Sequence, residues 1–174
     1  MVMQEVINGK IFAWFIGEGT CSKEMAQMFW DKTSDRVKRF QMFDVEDHRK
    51  EWAFCQCLSW ASITCAALSE NGELEALCWL ERLRPMIPVC NSHFFFEVTR
   101  IRPALWYGDV FWDKVAEIGY FETALATQPS CYRHARKWIE GFGFKLEMVL
   151  PKACYIYATQ KIYDMNFFLK KIGS

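Results

Sequence analysis

No CxxC pair occurs in this chain, and histidine appears only three times in 174 residues. Tetrahedral zinc frameworks need clustered thiolates and imidazoles, so a zinc-built domain is not expected. Charge of one sign is also missing. The 21 basic and 21 acidic residues cancel, which leaves no global field to draw the protein to nucleic acid or an anionic membrane. No apolar run is long enough to span a bilayer, and the N-terminus lacks a basic region followed by an apolar stretch. Internal repeats and low-complexity linkers are absent too, so residues 1–174 read as one domain in a cytoplasmic setting. In that compartment Cys21, Cys55, Cys57, Cys65, Cys78, Cys90, Cys131 and Cys154 are expected to be reduced and to behave as small core residues.

What is present in abundance is aromatic surface, at 17% of residues, which implies a bulky core or an apolar interaction face. Lys10–Ile16, following Asn8-Gly9, has the β-rich apolar character of a first strand. Thr20 or Ser22 can cap a helix that carries Met25, Met28 and Phe29. Thr33 opens a new basic stretch with cap-like residues, and Asp44–Lys50 is a charge run suited to a solvated surface. Glu51–Trp60 fits helix or strand. Asn71-Gly72, between Ser62–Leu68 and Glu73–Leu80, predicts a tight hairpin because both residues tolerate positive φ.

The stretch from Ser92 to Phe144 organises the rest. Ser92–Thr99 is aromatic and β-branched and reads as a buried strand. A basic loop, Arg100–Ala104, leads into apolar residues at helical spacing, Tyr107 to Ile118, stopped by Gly119. Tyr120–Thr127 reads as a second strand, and Pro129-Ser130 opens a helix with Cys131, Ala135, Trp138, Ile139 and Phe142 on one face. A helix between two neighbouring strands implies that they run parallel. Beyond Phe144, Lys145–Leu150 and Ala153–Thr159 can form a last hairpin around Pro151-Lys152, with an apolar tail docking behind it.

Strand, basic loop, helix, strand, and a helix reading RHARKWIEGFGF resemble the core of the GNAT N-acetyltransferase superfamily, over roughly residues 61–158. The whole chain is also similar to a group of tailed-phage proteins, some labelled head-assembly proteins. The first resemblance implies an α/β (α+β) fold. It would have a mixed central sheet with N-terminal antiparallel strands, a parallel pair at the family's fourth and fifth strands, and flanking helices. It further implies acetyl-CoA as cofactor and an amine acceptor, with no metal. The second implies phage structural partners and a bacterial host cytoplasm, so the alternative function is a non-catalytic head-assembly or binding protein on the same fold. Neither implies a nucleic-acid or membrane partner.

In the family the loop after the fourth strand follows Gln/Arg-x-x-Gly-x-Gly/Ala, whose glycines let backbone N–H groups approach a pyrophosphate at a helix N-terminus. Here the segment is Arg100-Ile101-Arg102-Pro103-Ala104-Leu105. Pro103 donates no N–H and Leu105 crowds the approach, while Arg100 and Arg102 can substitute charge for amides. The resemblance thus places the cofactor against Val98, Arg100, Arg102 and Ala104. It also makes Glu97 the candidate general base, since family carboxylates often sit on or beside that strand. Aligned on Ala135, Gly143 and Phe144, the family's thiolate-protonating tyrosine falls at Ile139, which cannot act as an acid. Cys131, Tyr132 and Tyr107 remain as substitutes that the sequence does not separate, and Tyr132 is carried forward as the candidate. His93 reads as structural, and Cys131 with His134 as a coincidence of opposite helix faces.

Overall fold

The computed structural model describes residues 1–40, 51–83, 88–96, 101–156 and 159–173. The expected Asp44–Lys50 charge run lies outside these residues. The chain divides into two compact units: Met1–Glu81 with His93–Glu97, and Arg82–Ser92 with Val98–Ser174.

The first unit opens with β1 (Val2–Ile7) and β2 (Lys10–Ile16), paired antiparallel from Val2↔Phe15 to Ile7↔Lys10. Their connection is Asn8-Gly9, with φ of 50° and 75°. Two successive left-handed residues are what a two-residue hairpin requires, so the strongest Asn-Gly turn of the chain lies here. The sequence reading placed only the second of these strands. At Asn71-Gly72, where that tight turn was expected, Gly72 alone takes positive φ, and Ser69 and Glu73 close a wider loop through Ser69 N–H to Glu73 O at 2.9 Å. β3 (Ile63–Leu68) and β4 (Leu74–Arg82) flank that loop as an antiparallel pair, and β3 also pairs with β2.

Two helices complete this unit. Ser22 caps α1 (Lys23–Phe40), its Oγ accepting from Met25 N–H at 3.3 Å. The helix runs through Thr33 instead of restarting there, because the Thr33 hydroxyl donates back to Phe29 O at 2.8 Å rather than capping a new turn. Glu51–Trp60, ambiguous in sequence, is α2. The core joins Phe15, Phe29, Trp30, Phe54, Trp79 and Phe95, with Phe54 and Trp79 edge to face at 6.1 Å.

The second unit holds the parallel pair. β5 (Val89–Phe96) matches β6 (Thr123–Pro129) through Val89↔Thr123, Cys90↔Ala124 and Asn91↔Leu125. Between them lies α3 (Ile101–Ile118), whose buried stripe is Ala104, Tyr107, Phe111, Trp112 and Val115. The expected loop at Arg100–Ala104 is therefore already helical from Ile101, and Pro103 sits in the first turn where its missing N–H costs least. Pro129-Ser130 does not open a helix: β6 continues through Pro129, and α4 spans Arg133–Gly141.

The C-terminal hairpin also differs from expectation. β7 (Lys145–Ile156) passes straight through Pro151-Lys152, where Lys152 takes φ of 51° at a break in register. Its partner is the tail itself, β8 (Lys161–Lys171), which pairs with both β7 and β6. Pro151 lacks a donor, and a bulge in a strand paired on one side accommodates that lack without a turn. In outline the described residues form a mixed α/β fold, with mostly antiparallel strands, one parallel pair and four helices.

All eight cysteines are free thiols; Cys21, Cys65, Cys78, Cys90 and Cys154 are buried and the other three half-buried. Burial pushes the thiols of Cys21, Cys57 and Cys90 up to about 12, so they are poor nucleophiles.

α3 and α4 meet through two reciprocal large-for-small fits. Leu105 occupies the space a side chain at Gly141 would need, and the Phe142 ring fills the space beside Gly108. An added Cβ at Gly108 would lie 2.1 Å from Phe142 Cε1. Gly108→Ala should therefore destabilise the protein by up to about 2 kcal/mol in urea unfolding. A contact of 2.1 Å puts the overpacking toward the upper part of its range of about 1–3 kcal/mol, against a helix-propensity gain of about 1 kcal/mol. Adding Phe142→Leu should recover part of that loss.

Candidate functional site

Ligands of sheets with parallel strands collect at the carboxyl ends of those strands, where following helices begin. In the second unit that place is well marked. The last β5–β6 pair among the described residues is Asn91↔Leu125, locked by Ser92 Oγ donating to Leu125 O at 2.9 Å. β6 nevertheless continues along β8 to Pro129↔Met165. α3 follows β5, and α4 follows β6, so both helices present N-terminal ends at the carboxyl side of their strands.

The turn into α4 is held by buried amides. Gln128 Nε2 donates to Tyr132 O at 2.7 Å and also to Pro129 O, and Gln128 Oε1 accepts from Asn166 Nδ2 at 2.9 Å. Ser130 N–H reaches Asp164 O at 2.9 Å. Tyr132 is the residue before the helix, and its side chain makes no capping hydrogen bond to it. The exposed face of α4 carries Arg133, His134, Arg136, Lys137 and Glu140, and Ile139 is buried opposite. At the far end, Lys170 Nζ donates to Phe142 O at 2.7 Å, over the ring of Trp112. Burial lowers the Lys170 pKa, against the pull of Asp109 and Asp113.

The sequence-based candidates distribute as follows. Arg102 is exposed in the first turn of α3, and Ala104 is buried in the same turn. Tyr132 is half-buried at the start of α4. Tyr107 is buried inside α3 against Trp106. Glu97, Val98 and Arg100 lie outside the described residues. Leu105, expected to crowd a phosphate, points its methyls at Gly141 of α4 instead. The glycine in α4 gives that side chain a place away from the helix start, so the steric objection to a ligand there falls.

A second polar group lies in the first unit, and sequence reasoning missed all but one of its members. Glu81, near the end of β4, accepts from Trp79 Nε1 at 3.2 Å and lies 3.6 Å from His93 Nε2. The imidazole stacks on Trp79, with centroids 4.9 Å apart and planes 10° from parallel. Cys57 of α2 supplies a further hydrogen bond to the carboxylate. Burial alone would raise the Glu81 pKa, but His93, Trp79 and Cys57 together hold it below 4.5. The available signal was Trp79-x-Glu81, whose period-two spacing puts both on one face of a strand.

The fold was compared with solved structures. The chain superposes on the acetyltransferase that modifies the N-terminal serine of ribosomal protein L7/L12 from Salmonella typhimurium, with a TM-score of 0.73 at 9% identity over 97% of this chain and 98% of that one. The GNAT-superfamily phosphinothricin acetyltransferase from Sinorhizobium meliloti, solved with acetyl-CoA, gives 0.71 at 10% identity over 99% and 89%. The ribosomal-protein-S5-alanine acetyltransferase from Vibrio fischeri gives 0.63 at 10% over 99% and 98%. This is a GNAT fold. No protein-family model and no curated protein sequence matches the chain.

The Glu81 interactions set an expectation for stability against pH. A carboxyl whose folded pKa is depressed contributes stability above its unfolded value, lost as pH falls through the folded one. Glu81→Gln should therefore lower unfolding free energy at neutral pH, with the difference from wild type shrinking below about pH 4.5. Urea titrations at a series of pH values measure it.

Proposed function

We propose that this protein is an acyl-CoA-dependent N-acetyltransferase of the GNAT type. The observation that carries the reading is the end of the β5–β6 ladder at Asn91↔Leu125, with a helix starting beyond each strand. Acetyl-CoA supplies the activated acyl group as a thioester. In this chain Arg102 and the first turn of α3 would hold its phosphates, with Ala104 packed beneath. Arg100 and Val98, read from sequence alone, belong to the same segment. The helix dipole and a guanidinium fork together suit a pyrophosphate. Pro103 subtracts one amide from that cradle, so side-chain charge does more of the binding than in a glycine-rich loop. Tyr132 is the proposed acid for the departing sulfur and Glu97 the base assigned by resemblance. The neighbours named for N-terminal serine and for alanine of ribosomal proteins make a peptide amine the acceptor class to try first.

Two observations favour the second reading, a non-catalytic binding protein on the same fold, for which phage structural proteins are the partners suggested by resemblance. Ile139 is buried where the family's tyrosine stands, and Pro103 removes a donor.

Acetyl-CoA binding separates the two. At 100 times its dissociation constant a ligand adds about 2.7 kcal/mol of stability, a melting shift of roughly 5–10 °C for a chain this size. Binding led by Arg102 and Arg100 should weaken steeply with salt, because the screening length is about 8 Å at physiological ionic strength. Arg100→Ala with Arg102→Ala should remove it and leave the melting temperature of the free protein nearly unchanged. No shift and no calorimetric heat with acetyl-CoA or CoA at low salt would leave the binding-protein reading in its place.

A further inference from the structure

The 21 basic and 21 acidic residues are unevenly divided between the two units. Arg82–Ser92 with Val98–Ser174 carries 13 lysines and arginines against 7 aspartates and glutamates, a net charge of +6. Met1–Glu81 with His93–Glu97 carries the remaining 8 against 14. α4 belongs to the basic unit and gathers charge on one side. Arg133 and Lys137, four residues apart, are exposed on the side away from buried Ile139, and Arg136 is exposed beside them.

These cations stand where they help a helix least. Arg133 begins α4, whose first turn holds no acidic residue and receives no side-chain cap from Tyr132. Positive charge at that end opposes the helix dipole, which favours a carboxylate there. Arg133 and Lys137 are also like charges one turn apart, a repulsive pair. The carboxylate of the helix, Glu140, accepts from Arg136 Nε at 2.8 Å. Among the described residues Arg133 and Lys137 make no salt bridge. A helix shaped for stability alone would start with acidic residues, so the retained cations point to a ligand that brings the negative charge.

We propose that the exposed face of α4 is a docking surface for an acidic peptide segment, with Arg133 and Lys137 as its principal contacts. The proposal goes beyond the acetyltransferase reading and does not rest on it. α4 exposes no large apolar or aromatic side chain, so it offers neither a stacking platform for bases nor a wedge for a membrane. Carboxylates on an extended peptide suit it better. Arg133 and Lys137 are about 6 Å apart along the helix axis. Alternate side chains on one face of an extended chain are about 6.6 Å apart. Acidic residues at every second position therefore meet both cations at once. The Arg133 guanidinium can take its carboxylate through two parallel hydrogen bonds, and Lys137 takes the next as a point charge.

The test titrates the full chain against a fluorescein-labelled peptide of alternating glutamate and serine, read by fluorescence anisotropy at low salt. The same peptide with glutamine for glutamate, a uridine oligonucleotide and vesicles containing phosphatidylserine are the comparisons. The acidic peptide should bind about tenfold tighter than the glutamine peptide, and added salt should weaken it. Arg133→Glu with Lys137→Glu should lose about tenfold in affinity and should bind a peptide of alternating lysine and serine instead. Because it removes an unfavourable charge from the helix start, that double variant should melt no lower than wild type. Lys152→Glu with Lys161→Glu makes the same change of charge at exposed positions of β7 and β8, and should alter affinity less than about twofold. Equal affinity for the acidic and glutamine peptides, or an equal loss in the two double variants, would overturn the proposal. So would failure of the reversed α4 face to take the lysine peptide, or tighter binding of wild type to the oligonucleotide or the vesicles. Displacement of the bound peptide by CoA would overturn it as well, by making the face part of a nucleotide site.

Discussion

Two strands that run the same way cannot be joined by a short turn, and the parallel pairing of β5 with β6 obliges the chain to return through α3. That constraint arranges the second unit. It sends each strand into a helix at the same end, so two helix N-termini collect where the ladder stops. Ser92 matters here beyond its size. Its hydroxyl donates to the Leu125 carbonyl of the last Cα pair, satisfying that acceptor where the β5–β6 ladder ends. Gln128 and Asn166 do the same for the turn into α4, and their burial leaves that turn little freedom.

Helix contact in this unit depends on what is missing at two positions. Gly108 and Gly141 are poor helix formers that cost about 1 kcal/mol each relative to alanine. Both are in α3 or α4, and each receives a large side chain from the opposite helix. The geometry ties packing to the site, because Leu105 is in the turn after Pro103 and its rotamer is set by Gly141. A larger residue at 141 would push Leu105 back toward the helix start, so a substitution in α4 would be felt at Arg102.

The central plan of the fold was legible because α3 has a strong helical period and the runs on either side are apolar and β-branched. Several turns were misread for identifiable reasons. Asn-Gly occurs twice, each time between antiparallel strands, and dipeptide chemistry alone does not say how wide each loop is; only Asn8-Gly9 takes positive φ at both residues. Pro151-Lys152 resembles a turn in sequence, yet a strand bonded on one side tolerates the missing N–H, so the tail became β8. Pro129 has the sequence character of a helix start because proline favours first turns, whereas β6 carries it to the end of its pairing with β8. Arg102, Ala104 and Tyr132 could be nominated from a linear motif. Glu81 could not, since its partners come from α2, β4 and β5, and no spacing rule links Cys57 to His93.

The two polar assemblies follow opposite electrostatic strategies. At the start of α3 positive charge is exposed on Arg102, in high dielectric, where a guanidinium is cheap to keep and an arriving anion supplies the counter-charge. Around Glu81 the charge has its hydrogen-bond partners before any ligand arrives, and they more than offset the burial that opposes it. A group meant only to fill the core would carry no charge, and one meant only to attract a ligand would sit at the surface. A half-buried carboxylate beside a stacked imidazole is instead held in one orientation by groups of its own unit.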